Sequence, residues 1–297
     1  MKIIFSIEGG IGKCIAATAV IAATKKQYPL DDIIVISGYP DVFLGNKNVS
    51  KNLQSGNFSY FFTENVEKND IKVMMHNPYL ETDYVKENKH LIEIWCNMFG
   101  VKYNGEQPEL FLTQREQDLY KNKFASIPTD KPILLMQTNG GGVQDMKYSF
   151  NRDLPSKLVV QLIDKLNPHY HILHVRRDDQ FSYNGTIPVQ ASLREIIVLA
   201  SLSTKRLLID SFLQHACAAL NLPSTVCWIT NNPKVLGYEL HSNIKANDFT
   251  VEPELRQSFL SKFDISGNPL AFPYRSEDEI FDADKILATL LPEEKAK

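Results

Sequence analysis

Short apolar runs alternate along this chain with longer segments whose apolar residues recur at helical spacing, which predicts an α/β protein. Residues 2–6 (KIIFS) and 32–37 (DIIVIS) read as strands, with 14–26 between them as a helix rich in alanine. Residues 58–62 and 72–76 read as further strands, and 90–99 as a helix. The intervening stretch 77–88 is polar and irregular and reads as a surface excursion. Residues 113–123 form a charged helical segment, after which Pro128 and Pro132 break any helix. The domain boundary is placed there.

A second α/β pattern follows. Residues 132–137 (PILLMQ) read as a strand, 155–166 as a helix, 170–175 as a strand and 192–202 as a helix. Ser192 and Glu195 are spaced as a capping box. A strand at 206–209, a helix at 211–221 and a strand at 224–229 come next, and 276–291 is an amphipathic helix. The expected division is residues 1–128, residues 129–275, and a last segment, 276–297.

The 297 residues leave room for two ordinary domains, and 43% hydrophobic with 23% charged residues suits a globular chain. No apolar run reaches the ~18–20 residues of a membrane span. The N-terminus lacks a signal-peptide pattern, so a cytoplasmic protein is expected. A formal charge of −3 without a basic block gives no expectation of nucleic-acid binding. Cys14, Cys96, Cys217 and Cys227 form neither a CxxC pair nor a zinc pattern. They are expected as buried thiols, and no metal is expected.

Three places carry candidate chemistry. The first is the turn Glu8-Gly9-Gly10-Ile11-Gly12-Lys13 between the first strand and helix. Free N–H groups at a helix start, approached through glycines, suit an anion. A phosphate-binding loop of the ATPase type would need glycine at Ile7 and a hydroxyl at Cys14, so that reading fails twice. Glu8, at a strand's carboxyl end, is a candidate general base or a solvated loop carboxylate. Lys13 opposes the helix dipole unless an anion is near; otherwise it reaches into water. The second place is the turn Thr138-Asn139-Gly140-Gly141-Gly142, with Lys147 and Arg152 following within reach of a phosphate. The third joins Asp210, Ser211 and His215 at a strand-to-helix turn. There Asp210 is either a site residue or a helix cap. Arg176 is a candidate phosphate or base contact, with plain surface charge as the alternative, and 231–234 is expected as a ligand-facing loop.

Residues 210–223, DSFLQHACAALNLP, resemble the D-[ST]-G-x-x-H-x-A-A-A-L-x-x-P signature of family 9 glycosyltransferases, the ADP-heptose:lipopolysaccharide heptosyltransferase group. The opening GGIGK, followed by a small-residue helix and Lys26-Gln27-Tyr28-Pro29, is similar to the family's G-x-x-G-D and K-x-x-Y-P, and the segment from Ser192 to Glu195 is similar to the one before its signature.

The resemblance implies a GT-B architecture, two Rossmann-like domains facing a central cleft, with 276–291 returning to the first domain. It implies metal-independent, inverting sugar transfer from a nucleotide-diphosphate sugar, with ADP as the nucleotide it points to, and no further cofactor. The acceptor would be a glycan, such as lipopolysaccharide, or another hydroxyl compound, reached at the inner face of the cytoplasmic membrane. Asn139, Gly140, Gly141, Gly142, Lys147, Arg176, Asp210, Ser211 and His215 would hold the donor. Gly9, Gly10 and Gly12 would line the acceptor side. The family's aspartate base is Lys13 here, and the signature glycine is Phe212. Glu8 or Asp41 is the expected substitute base. The alternatives are a non-catalytic relative that binds a sugar, nucleotide or protein, an ATPase, and a transferase acting on DNA bases.

Overall fold

Among the described residues, ten parallel strands make two separate sheets. The structure, a computed structural model, describes residues 1–56, 58–140, 149, 151–247 and 276–292. Strands β1 (Lys2–Ile7), β2 (Asp32–Ser37), β3 (Lys51–Gln54) and β4 (Ile71–Met74) pair in the order β3-β2-β1-β4. Strands β5 (Ile133–Met136), β6 (His171–Val175), β7 (Ile187–Val189), β8 (Lys205–Ile209), β9 (Thr225–Trp228) and β10 (Ser242–Lys245) pair in the order β10-β9-β8-β5-β6-β7. The order reverses between β1 and β4 in one sheet and between β5 and β8 in the other. Such switch points open a crevice at the strands' carboxyl ends.

Helix α1 (Ile11–Gln27) is buried without a break from Cys14 to Thr24. A helix apolar on all sides must be covered on all sides. Those covers are β1 and β2, α4 (Leu91–Met98, following the short α2 at Phe61–Asn65 and α3 at Thr82–Val85) and, from the second half, α8 (Phe212–Ala219). Helix α5 (Gln114–Lys123) likewise packs on α7 (Leu193–Leu202), which follows α6 (Ser156–Leu166). Capping boxes start both: Thr113 with Glu116, and Ser192 with Glu195. One apolar core therefore runs from Phe5 and Val20 to Leu208 and Leu213, across both sheets.

Two expectations are corrected. Residues 58–62 are not a strand: β3 takes the place beside β2, and Phe58 and Phe61 pack ring to ring at 5.5 Å where α2 begins. The strands β3, β7 and β10 escape the hydrophobic pattern because they are polar, short or at a sheet edge, and β7 carries a proline that only an edge tolerates. The last helix, Ala283–Leu290, does not return to the first domain. It packs on α6 and the second sheet, burying Ile286 and Leu290. Tyr170 Oη donates to the Leu290 carbonyl at 2.6 Å, and Lys205 Nζ to that of Thr289 at 3.0 Å.

Candidate functional site

The carboxyl ends of both sheets face one cavity of about 790 Å³. Its first-half wall begins where β1 ends. Glu8 lines the cavity and is exposed. Gly9 has φ +108°, and a Cβ there would lie 3.2 Å from Lys13 Cδ. Side chains rarely adopt that backbone. Gly10 caps α1 and faces open space. Gly12 is glycine for another reason: a Cβ would meet His215 Cδ2 at 2.9 Å and the Phe212 Cα at 3.4 Å. It lets α1 and α8 touch.

Lys13 is half-buried. Its Nζ lies 3.3 Å from Asn77 Oδ1, over the Tyr79 ring at 5.2 Å and over Trp95 at 5.6 Å. Burial lowers its pKa, against weaker opposing effects of Cys14 and Glu8. The ATPase reading fails here too: Cys14 is buried in the core, and burial pushes its thiol up to about 11.

The second-half wall centres on Asp210, at the end of β8 and 8% exposed. Burial raises its pKa, while an amide hydrogen bond from Asn231 and the charge of Arg152 oppose that. Asp210 is not the helix cap. The N-cap is Ser211, whose hydroxyl accepts from Gln137 Nε2 at 3.2 Å and makes no cap bond. The start of α8 is thus left without a side-chain cap, in a cavity that Ser211, Phe212 and Arg152 also line. His215 lines it too. Its Nε2 accepts from Gln214, so Nδ1–H donates to Tyr238 Oη at 2.7 Å.

Asn139 and Gly140 brace the wall from behind rather than lining the cavity. The Asp153 carboxylate accepts from Asn139 Nδ2 at 3.1 Å and from the Gly140 N–H at 2.8 Å. A Cβ on Gly140 would strike Arg152 Cδ at 2.4 Å, so this glycine lets Arg152 cross it. Gly141, Gly142 and Lys147 lie outside the described residues. Arg176 is turned to its own loop, donating to the carbonyls of Arg177 at 3.0 Å and Gln180 at 3.1 Å. Neither Arg176 nor Asp41 lines the cavity.

Tyr79, Tyr84 and Trp95 line the cavity, and the sequence reading missed all three. The 77–88 stretch lies at the surface as expected but is not irregular, with helical turns at Pro78–Leu80 and Thr82–Val85. It folds back with Tyr79 and Tyr84 ring to ring at 5.0 Å, and Glu87 accepts from Asn232 of the second half at 2.7 Å. Two tyrosines within a polar stretch were the available signal. Among the described residues no group of three or more His, Cys, Asp or Glu could hold a metal ion.

Buried imidazoles make stability fall in acid. His215 is lowered to about 3 and His174 to about 4, first by burial. Thr138 Oγ1 donates to Asn139 Oδ1, so His174 Nε2–H donates to Thr138, and Nδ1 has no partner among the described residues. Above the ordinary histidine value of ~6.5 both rings are neutral folded and unfolded. Below it the unfolded chain takes up protons that the folded chain refuses, so stability present above pH ~6.5 is lost as pH falls toward the folded values. The loss expected by pH 5 is roughly 2 kcal/mol per ring. His90 and His241 act in the same sense, and Asp210, raised, in the opposite one. Urea unfolding at pH 7 and pH 5 checks this; equal stabilities would refute it, and His174→Gln should remove about half of the two-ring effect.

No family model matches the chain, and no curated protein matches it. Solved structures do. A family 9 glycosyl transferase from Veillonella parvula aligns over 97% of this chain and 96% of its own, with a TM-score of 0.67 at 14% identity. The ADP-heptose LPS heptosyltransferase II of E. coli aligns over 82% and 90%, with a TM-score of 0.58 at 11% identity. The iron-containing dodecameric glycosyltransferase TibC of enterotoxigenic E. coli aligns over 100% of this chain and 70% of its own, with a TM-score of 0.58 at 12% identity. The chain shares the α/β, GT-B fold of these glycosyltransferases.

Proposed function

We propose that this chain is a glycosyltransferase moving a sugar from a nucleotide-diphosphate donor to a hydroxyl acceptor, with domains meeting near residue 128. One observation carries the reading. At the switch point of the second sheet, Asp210, the uncapped start of α8 and the Arg152 cation meet in a cavity whose opposite wall holds Glu8. Helix N–H groups and a guanidinium suit a diphosphate and the charge it gains on leaving. Glu8 would take the proton of the acceptor hydroxyl as that oxygen attacks the anomeric carbon opposite the diphosphate, giving inversion. An ADP-linked sugar is the first donor to try, because E. coli heptosyltransferase WaaC, with a TM-score of 0.56, was solved with ADP.

A thermal-shift panel of nucleotides and nucleotide sugars tests this. A ligand at 100 times its Kd should add ~2.7 kcal/mol of stability. The gain should vanish in Ser211→Pro and weaken in Arg152→Met; no stabilisation by any member would sink the proposal. Metal independence is its finer claim, checked by turnover in chelator, since TibC is iron-containing. A second reading, a non-catalytic relative, draws on Lys13 standing where the resemblance puts the base. Sugar transfer lost in Asp210→Ala would remove it.

A further inference from the structure

We propose that Tyr79 belongs to the donor site, its hydroxyl donating a hydrogen bond to the donor's β-phosphate from the first-half wall. This rests on the glycosyltransferase reading and adds to it a substrate-binding residue outside the segments that carry the resemblance.

Tyr79 sits in the helical turn Pro78–Leu80 and lines the cavity. Its backbone N–H donates to Asn77 Oδ1 at 3.3 Å, and the same oxygen accepts from Lys13 Nζ at 3.3 Å. The Lys13 ammonium stands over its ring at 5.2 Å, and the Tyr84 ring tilts against it at 5.0 Å. Backbone and ring are thereby held, and the hydroxyl is the group left to meet a ligand.

A phenol turned away from water ordinarily finds a hydrogen-bond partner. Tyr170 bonds the Leu290 carbonyl at 2.6 Å, Tyr183 bonds Ser156 Oγ at 3.3 Å, and Tyr238 bonds His215 Nδ1 at 2.7 Å. The Tyr79 hydroxyl has no such partner among the described residues. Its surroundings are those assigned to the diphosphate. Burial raises its pKa, Tyr84 and Asp210 add to that, and the charge of Arg152 opposes it. The hydroxyl is therefore close enough to the second-half wall to feel both charges there, and it keeps its proton at neutral pH. A neutral O–H beside an arginine is a donor set that suits a phosphate oxygen.

In the transfer, the acceptor oxygen bonds to the anomeric carbon and the bond from that carbon to the β-phosphate oxygen breaks. The electron pair stays on the phosphate oxygen, and the acceptor's proton passes to Glu8. Tyr79 keeps its own proton. Its hydrogen bond strengthens as charge gathers on the departing diphosphate, from a position that the ring contacts fix beforehand.

Titration calorimetry of ADP, UDP and GDP, each against its monophosphate, on the full chain tests this. Tyr79→Phe keeps the ring and removes the hydroxyl. It should bind the preferred diphosphate about tenfold more weakly, as loss of a hydrogen bond to a charged group implies. Its affinity for the monophosphate should not change. With the matching nucleotide sugar, kcat should fall about tenfold to hundredfold at an unchanged KM for acceptor. An equal loss for diphosphate and monophosphate is the mark of a packing role and overturns the proposal. So does a loss confined to the nucleotide sugar, which would put the hydroxyl on the sugar. If the unaltered chain binds none of the diphosphates, the transfer reading falls and the Tyr79 assignment with it. If it binds one and Tyr79→Phe binds it equally well, only the Tyr79 assignment falls.

Discussion

Glu8→Gln is expected to lower kcat by about 10²- to 10⁴-fold, the range of a lost general base, with donor affinity essentially unchanged. Gln keeps the size of the side chain and removes its capacity to take a proton. In the proposed reaction Glu8 is the base. It follows the last residue of β1, at the switch point of the first sheet, and lines the cavity opposite Asp210. Asp41, the other carboxylate expected from the sequence, is exposed and lies outside the cavity. Steady-state kinetics and donor binding are the measurements. A loss below tenfold in Glu8→Gln, with a larger one in Lys13→Met, would hand the proton to Lys13, whose amine burial makes easier to deprotonate.

Arg194→Ala should destabilise the protein by about 2–3 kcal/mol, because the guanidinium is buried and its carboxylate partner only partly so, which places the loss between that of a surface pair and that of a buried one. Arg194 is on α7, is 5% exposed and reaches into the first half. Its Nε donates to Glu116 Oε1 at 2.9 Å and its Nη2 to Oε2 at 3.0 Å, a bidentate pair. Nη2 also donates to the Phe111 carbonyl at 2.6 Å and Nη1 to that of Asp41 at 3.2 Å. Alanine would strand all of these. Burial pushes the Glu116 carboxyl up, but hydrogen bonds from Thr113 and Arg194 hold it below its usual value, so losing the arginine also loosens the α5 cap. Urea unfolding reads the effect. A change below 1 kcal/mol would mean that the pair is a surface contact of the ordinary kind.

Much of the fold was legible because strands such as β1, β2, β6 and β8 are buried on both faces and read as unbroken apolar runs. The capping boxes at Thr113 and Ser192 were legible because they need only residues three apart. Strand β3, KNLQ, was not, because an edge strand half in water needs no apolar pattern. In the site, the turn at Asp210–Ser211 and the loop at Glu8–Lys13 announce themselves by local chemistry. Tyr79, Tyr84 and Trp95 do not, because their place in the cavity depends on how a loop folds back, which no local spacing encodes. The glycines misled in an instructive way. Gly12 and Gly140 look alike in sequence, yet one makes room for a neighbouring helix and the other for an arginine side chain.

Burial of α1 on every side has a consequence for synthesis. Its partner α8 begins at Phe212, while α1 ends at Gln27. At about 5–20 residues per second, a nascent chain waits roughly ten to forty seconds between the two. Through that interval the sheet, α4 and their neighbours can assemble, but the stripe of α1 that will meet Leu213, Ala216 and Cys217 stays wet. The first half leaves the ribosome as an unfinished core with an apolar seam that stays open until the second half arrives.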